Sequence, residues 1–132
     1  MLNLEIVTPE KKVLDATVDS VTIPTASGDV GIMTNHAPLI SALRSGVLSY
    51  TKGGQSEKMV IAGGFVEISN NKVSILADFA ETTDDIDAEN AKQSLDAAGK
   101  ALSGWQGTAE EYESHKDNLD RAQARAQLAA GK

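Results

Sequence analysis

The side chains that could carry catalysis are few in this 132-residue sequence, and they lie far apart. The two histidines, His36 and His115, stand in different halves of the chain. Cysteine is absent, which excludes disulfides, zinc–thiolate sites and a cysteine nucleophile. The sequence contains no H-E-x-x-H, G-x-S-x-G or phosphate-loop pattern. It therefore predicts no active site and no cofactor, although a small hydrolase built on Asp29 and His36 remains one alternative.

Residues 28–40 carry polar residue types that suit recognition. Glycines near Asp29 predict a tight loop, and the Asn-His-Ala-Pro string at 35–38 predicts a polar turn that ends at a rigid proline. Polar residues on rigid loops often bind partners, so we expect Asp29 and His36 to dock one. The alternatives are a plain connection in which His36 bonds the loop backbone, and an Asp29 that only caps the loop.

Charge and hydropathy exclude two classes of protein. With 12 basic and 19 acidic residues the formal charge is −7, which argues against nucleic acid as a partner. No run of 18 apolar residues is present, and the N-terminal residues lack the basic stretch and apolar segment of a signal peptide. We expect a chain of cytosolic type that does not span a bilayer by itself.

The elements that must position these residues differ between two parts of the chain. Residues 1–84 hold 9 valines, 7 isoleucines and all 3 prolines, whereas residues 85–132 hold 11 alanines and a single β-branched aliphatic residue, Ile86. β-branched residues favour strands and alanine favours helices. The composition therefore predicts an α+β protein, with a small N-terminal β-sandwich over 1–84 and a helical segment over 85–132.

Short alternating apolar runs mark the strands of the first part. The runs cover residues 2–6, 13–16, 17–23, 30–33, 47–50, 59–62, 65–68 and 73–76. Residues 52–55 and 69–72 have the Gly-Gly and Asn-Asn centres of tight hairpin turns. So many short strands predict a sandwich or flattened barrel whose core consists of Val, Ile and Leu.

Helical spacing replaces alternation after residue 84. One stripe follows the predicted N-cap Asp87, and a second follows the Thr108–Glu111 capping box, with a Gly-bounded loop at 104–107 between them. The first stripe is Ala88, Ala91, Leu95, Ala98 and Leu102; the second is Tyr112, His115, Leu119, Ala122, Ala126 and Ala129. They predict an antiparallel two-helix hairpin. A buried methyl contributes only about 0.8 kcal/mol, so the alanine-rich contact between the two helices is weak. We therefore expect the hairpin to pack against the sandwich or against a partner.

Motifs along the whole chain resemble the ε subunit of F-type ATP synthases. They are LEIVTP at 4–9, GDVGI at 28–32, NHAPL at 35–39, GVL at 46–48, GGF at 63–65, NKVSIL at 71–76, DID at 85–87 and RAQARA at 121–126. The resemblance implies a non-catalytic central-stalk subunit whose sandwich binds γ and rests on the c-ring, with the loop bearing Asp29 and His36 facing the ring. It couples proton-driven rotation of the ring, through γ, to ATP synthesis by other subunits. It implies a heteromeric complex peripheral to a membrane, on the cytoplasmic face of the bacterial inner membrane or the equivalent thylakoid position.

The resemblance also gives the hairpin a regulatory role. In the family the hairpin folds against the sandwich, or extends along γ into the catalytic head and opposes ATP hydrolysis. Arg121 and Arg125 would then present a basic edge to the α and β catalytic subunits; the alternative is a solvated edge in which Arg121 pairs with Asp117. Some members bind ATP through an I-D-x-x-R-A motif. Here Asn90 replaces the arginine, so we expect no tight ATP binding. A free-standing adaptor outside ATP synthase, a sandwich with a helical arm, is the alternative function.

Overall fold

The computed structural model describes residues 1–102 and 108–130, and over these residues it contains ten strands followed by two helices. The strands are β1 (Leu2–Val7), β2 (Lys12–Val18), β3 (Ser20–Thr25), β4 (Gly28–Met33), β5 (Leu39–Ala42), β6 (Gly46–Lys52), β7 (Gln55–Ala62), β8 (Phe65–Ser69), β9 (Lys72–Leu76) and β10 (Phe79–Thr82). A single 3₁₀ turn (Thr83–Asp85) precedes the helices α1 (Ala88–Leu102) and α2 (Ala109–Ala130). The predicted α+β architecture is confirmed.

Two five-stranded sheets face each other to form the sandwich. One has the order β2-β1-β9-β8-β5 and the other β10-β7-β6-β3-β4. β1 and β9 run parallel, and the other paired strands are antiparallel. Their inner faces supply a core of aliphatic side chains, as predicted, in which Leu4, Ile23 and Ile75 have no exposed surface. Alternation explains this packing, because every second residue of a strand points to the same face.

The two predicted hairpin turns are present. Gly53 and Gly54 have φ values of 59° and 81°, and Asn70 and Asn71 have 52° and 60°. Each pair forms a two-residue connection, since the flanking residues 52 and 55, and 69 and 72, pair directly across the strands. Positive φ at both central residues is what a type I′ turn requires, and Gly and Asn tolerate it best.

The strand predictions were wrong at four places. β5 and β10 are strands that the pattern did not reveal, because their sequences, LISA and FAET, do not alternate between apolar and polar residues. The predicted 17–23 run is divided, since β2 ends at Val18 and β3 begins at Ser20. Asp29 lies in β4, paired with Pro24 of β3, and not in a loop. The tight turn comes just before it, where the Thr25 hydroxyl donates to the Gly28 carbonyl at 2.6 Å.

Both predicted helix caps form in the structure. The Asp87 carboxylate accepts a hydrogen bond from the backbone N–H of Asn90 at 3.0 Å, and the Thr108 hydroxyl accepts one from Glu111 at 3.1 Å. These bonds satisfy backbone donors that a helix N-terminus leaves without partners. The predicted loop at 104–107 lies outside the described residues.

The helices contact each other, and α2 packs on the sandwich through β6 and β7. A second apolar cluster joins the parts; it consists of Val60, Ile86, Ala91, Ala124 and Leu128. Ala124 and Leu128 belong to neither predicted stripe, because they lie on a second face of α2. The hairpin therefore packs against the sandwich, which is one of the two supports that we expected because the alanine-rich contact between its helices is weak.

Candidate functional site

A row of apolar side chains crosses the outer face of the first sheet. Strand register pairs Ala42 with Phe65, Phe65 with Leu76, and Leu76 with Val7, so the row spans four neighbouring strands. Phe65 is 60% exposed and Leu76 is 59% exposed, and Ile40, on the same face of β5 as Ala42, is 74% exposed. We call Val7, Ile40, Ala42, Phe65 and Leu76 the apolar face.

The apolar face has the character of a protein-docking surface. Contiguous apolar surface is uncommon on a free protein and marks binding sites for other proteins or membranes. Burying a Phe or Leu side chain contributes about 1.5–3 kcal/mol, so covering Phe65 and Leu76 would stabilise a complex strongly. The sequence contains a signal for this face that the sequence analysis missed: both residues stand at strand positions whose neighbours on the same face, Glu67 and Ser74, are polar.

Asp29 forms an ion pair with Arg44, a residue that the sequence analysis did not single out. Arg44 Nη2 donates to Asp29 Oδ1 at 3.1 Å. The two side chains are 50% and 62% exposed, so the pair contributes at most about 1 kcal/mol and remains open to other charged groups. No local pattern would have shown it, because the partners are 15 residues apart in sequence.

His36 lies in the connection between β4 and β5. Its Nδ1 is 2.6 Å from the carbonyl oxygen of Ala37, which can only accept, so Nδ1 carries the proton of this bond. Asn35 has a φ of 68°, and its N–H donates to the side-chain oxygen of Asn71 at 2.7 Å. These contacts tie the connection to the β8–β9 turn and hold His36 beside the start of β5, which carries part of the apolar face.

Asp29 and His36 are not on one loop, contrary to the prediction. Asp29 is near the start of β4, and His36 follows its end. At about 3.3 Å per residue, the four steps from Asp29 to Met33 alone cover about 13 Å. The two side chains therefore mark opposite ends of the sandwich, and neither prediction of partner binding is tested by this placement.

Arg121 and Arg125 point to β10 and not to an open helix edge. The Arg125 Nε donates to Glu81 Oε1 at 2.8 Å, with side-chain exposures of 13% and 18%. The Arg121 guanidinium lies over the Phe79 ring, 3.7 Å from its centre. In the folded hairpin Arg121 contacts Phe79 and not Asp117, so the alternative of a solvated edge with an Arg121–Asp117 pair is wrong here. The contact of Arg121 and Arg125 with the catalytic subunits needs an extended hairpin and stays a prediction.

The same arginines border a cavity of about 200 Å³ between the helices, together with Ser94, Ala98, Asn118 and Ala122. Two guanidinium groups suit an anion, but here they are engaged by Glu81 and Phe79. Asp87 acts as the N-cap of α1, which confirms that part of the interpretation. Asn90 stands exposed on the first turn of α1.

A second cavity, of about 300 Å³, separates α2 from one end of the sandwich. We call it the α2 cleft; its polar lining consists of Asp29, Arg44, Ser45, Asp120, Gln123 and Gln127. Ser45 is 4% exposed, and its hydroxyl has no hydrogen-bond partner among the described residues. A buried polar group without a partner costs about 1–3 kcal/mol, and this hydroxyl is buried in the wall of the cleft.

Over residues 1–102 and 108–130, no three histidine, cysteine, aspartate or glutamate side chains form a group that could hold a metal ion. Neither α1 nor α2 has an apolar stretch that could span a membrane.

Comparison with known proteins agrees with this architecture. A family model described as ATP synthase, Delta/Epsilon chain, beta-sandwich domain matches residues 1–83. An ATP synthase epsilon chain from Anaeromyxobacter sp. (strain Fw109-5) is 41% identical over 128 residues, covering 97% of each chain.

Two solved structures share the fold. A chain of the Euglena gracilis mitochondrial ATP synthase structure of OSCP, F1 and c-ring matches with a TM-score of 0.80 and 24% identity, over 99% of this chain and 81% of that one. A chain of the Tetrahymena thermophila mitochondrial ATP synthase central stalk and c-ring matches with a TM-score of 0.64 and 15% identity, over 96% of this chain and 94% of that one. From the family match and the curated relative, this chain belongs to the ATP synthase epsilon chain family.

Proposed function

We propose that the chain is a non-catalytic rotor subunit that links the γ subunit to the c-ring and restrains ATP hydrolysis through its hairpin. The apolar face is the observation that carries this proposal. Ile40, Phe65 and Leu76 are its large exposed side chains, on three neighbouring strands, and a rotor subunit needs one broad attachment that transmits torque. Membership of the epsilon chain family supplies the complex in which this attachment is made.

The γ subunit is the partner of the apolar face. Large aromatic and aliphatic side chains at the centre of an interface provide most of its binding energy. Ile40 and Phe65 would take this role, and His36, held at the start of β5, would contribute a polar contact at the margin. The attachment is permanent during rotation, which suits an apolar interface better than a purely polar one.

The c-ring is the partner of the end of the sandwich where Asp29 lies, which is opposite to the end that carries His36. An exposed carboxylate can pair with basic groups of the polar loops that connect the helices of such a ring. This assignment keeps the predicted role of Asp29 and moves His36 to the γ side, since one end of the sandwich cannot present both. The resulting position is peripheral to the membrane, on the cytoplasmic face in a bacterium.

The hairpin is the regulatory part of the molecule. Its folded position depends on the small apolar cluster with Leu128 and on the contacts of Arg121 and Arg125. When α2 leaves the sandwich, both arginines are released and can meet acidic surfaces of the α and β catalytic subunits. A few contacts of modest energy allow two arrangements to lie within a few kcal/mol of each other.

The test is ATP hydrolysis by a catalytic sector from which the epsilon subunit has been removed. The full chain is titrated in parallel with a chain truncated after residue 87, which keeps β10 and the Ile86 side chain that covers Val60. Circular dichroism and thermal unfolding confirm that the truncated chain is folded. We expect both chains to bind γ and only the full chain to slow hydrolysis.

The other outcomes discriminate between the functions. Binding of both chains without any slowing would remove the restraint from the proposal and leave the rotor role. Failure of the folded full chain to bind a matched catalytic sector would contradict the rotor role and favour the adaptor function.

A further inference from the structure

Glu67 places a carboxylate inside the apolar face. It stands opposite Ile40 of β5 in the strand register and two residues after Phe65 on β8, so all three belong to the outer face of the sheet. The Cβ atoms of directly opposite residues are about 4.5–5.5 Å apart, and two residues along a strand cover about 6.6 Å. Ala42 and Leu76 lie diagonally from Glu67 on the two neighbouring strands, β5 and β9. A partner that covers both Ile40 and Phe65 therefore covers Glu67 as well.

The charge of Glu67 is not compensated within the part of the chain that the structure describes. Its side chain is exposed and forms no ion pair or side-chain hydrogen bond with residues 1–102 and 108–130. Lys72, on the adjoining strand β9, is exposed and does not contact it. Lys12, at the far side of the same sheet, is held by Glu5 and Asp15 at 3.4 and 3.5 Å. Water therefore solvates the Glu67 carboxylate in the free chain.

A partner surface that is wholly apolar would bind this face poorly. Removing an ionised carboxylate from water without a counter-charge costs several kcal/mol. That cost exceeds the roughly 1.5–3 kcal/mol gained by burying a Phe or Ile side chain, so covering Glu67 would cancel the gain at Phe65 or Ile40. A basic side chain opposite Glu67 removes this cost, because a charge-assisted hydrogen bond then replaces the lost water.

We propose that Glu67 determines the specificity of the apolar face by pairing with a lysine or arginine side chain of γ. The inference rests on the proposed function, which assigns this face to γ, and it adds the chemistry of the matching surface: an apolar patch that contains one cationic group. Ile40 and Phe65 provide the affinity. Glu67 disfavours apolar surfaces that lack the cation, and it fixes the position in which γ binds.

The experiment measures the association and dissociation rates of the full chain on a catalytic sector from which the epsilon subunit has been removed. Glu67→Gln removes the charge and keeps the shape, whereas Glu67→Leu also extends the apolar face. Glu57→Gln is the matched control, since Glu57 is an exposed glutamate on β7 in the other sheet. Lys72→Gln tests whether the compensating cation comes from this chain. Thermal unfolding of each free variant separates binding from folding.

We expect Glu67→Gln to weaken binding by about thirty-fold, the low end of the range for one partner of a buried charge pair, mainly through faster dissociation. Glu67→Leu should weaken binding at least as much despite its added apolar surface, because the cation of γ is left buried without a partner. Glu57→Gln and Lys72→Gln should bind as the unaltered chain does. Thermal stability should not fall in either Glu67 variant, since the side chain is exposed and has no partner within the described ranges.

Three outcomes would overturn the inference. If Phe65→Ser weakens binding but Glu67→Leu matches or exceeds the unaltered chain, γ covers the apolar face without bringing a cation to Glu67, and the proposed function stands. If Lys72→Gln weakens binding as much as Glu67→Gln does, the compensating charge comes from this chain and not from γ. If neither Phe65→Ser nor Glu67→Gln changes binding, the γ interface lies elsewhere, and the proposed role of the apolar face fails together with the inference.

Discussion

Arg125 and Glu81 join α2 to β10 through a hydrogen-bonded ion pair of 2.8 Å between largely buried side chains. One helical turn earlier, Arg121 stacks on Phe79, two residues before Glu81 on the strand. Four helical residues rise about 6 Å, and two strand residues cover about 6.6 Å. The two spacings match, so both contacts form together, and the pair of arginines acts as a latch between hairpin and sandwich.

Weakening the latch should release the hairpin. Glu81→Gln removes the charge of the acceptor, and we expect the docked state to lose about 1–2 kcal/mol, after allowance for partial exposure. That is roughly a five- to thirty-fold shift towards the released state. Energy transfer between dyes on α2 and the β6–β7 turn measures it, and Glu113→Gln, an exposed site on α2, is the control. An unchanged folded fraction in Glu81→Gln would show that the ion pair does not hold the hairpin.

Leu128 should be the main apolar anchor of α2 on the sandwich. It is the only leucine of the second cluster, and it is 6% exposed. Leu128→Ala should cost about 2 kcal/mol, the low end of the range for buried leucines, because this cluster is small. Hydrogen exchange should then accelerate in α1 and α2 but not in the strands of the core. Equal acceleration throughout the chain would mean that hairpin and sandwich unfold as one unit.

Substitutions in the apolar face should weaken binding to γ without lowering the stability of the free chain. Phe65→Ser removes an exposed aromatic ring, so the free energy of unfolding should change by less than about 0.5 kcal/mol. Loss of a central contact of about 2 kcal/mol should weaken γ binding roughly thirty-fold. Met33→Ser, at an equally exposed methionine in β4 of the other sheet, should bind normally. Comparable weakening by both substitutions would place the γ interface elsewhere.

Nucleotide affinity should depend on position 90. Titration calorimetry of the full chain should show no tight ATP binding, because Asn90 cannot supply the fixed positive charge that holds a phosphate group. Asn90→Arg, which restores the I-D-x-x-R-A pattern over 86–91, should raise the affinity for ATP. Micromolar binding by the unaltered chain would contradict this prediction, and would show that Arg121 and Arg125 suffice.

Gly64 should not tolerate a residue with a Cβ, because of its backbone conformation and the backbone next to it. Its φ is 96°, and an added Cβ would collide with the Leu76 carbonyl oxygen. Gly64→Ala should therefore lower the free energy of unfolding by about 2–4 kcal/mol in urea titrations. Gly31→Ala is the matched control, since nothing lies within 4 Å of its added Cβ. A cost no larger than that of the control would mean that the backbone at Gly64 rearranges freely.

The structural features that depend only on residues close together in the chain could be predicted from the sequence by itself. The caps at Asp87 and Thr108 and the two-residue turns at 53–54 and 70–71 depend on neighbouring residues, and the structure contains all of them. Alternation with period two and stripes with helical spacing determined which part would be sandwich and which hairpin. The family motifs, spread over 4–126, likewise needed only the order of residues.

Tertiary structure decided the surfaces on which function depends. Arg44 with Asp29, Glu81 with Arg125, and Phe65 beside Leu76 are neighbours only because strand order and register bring distant segments together. The contacts of Arg121 and Arg125 in the folded hairpin could not be predicted for the same reason, since periodicity shows which residues share a helix face but not what that face contacts. Preferences for turns, caps and helices depend on short stretches of chain, whereas contacts between distant residues of the sandwich depend on the packing of the whole core.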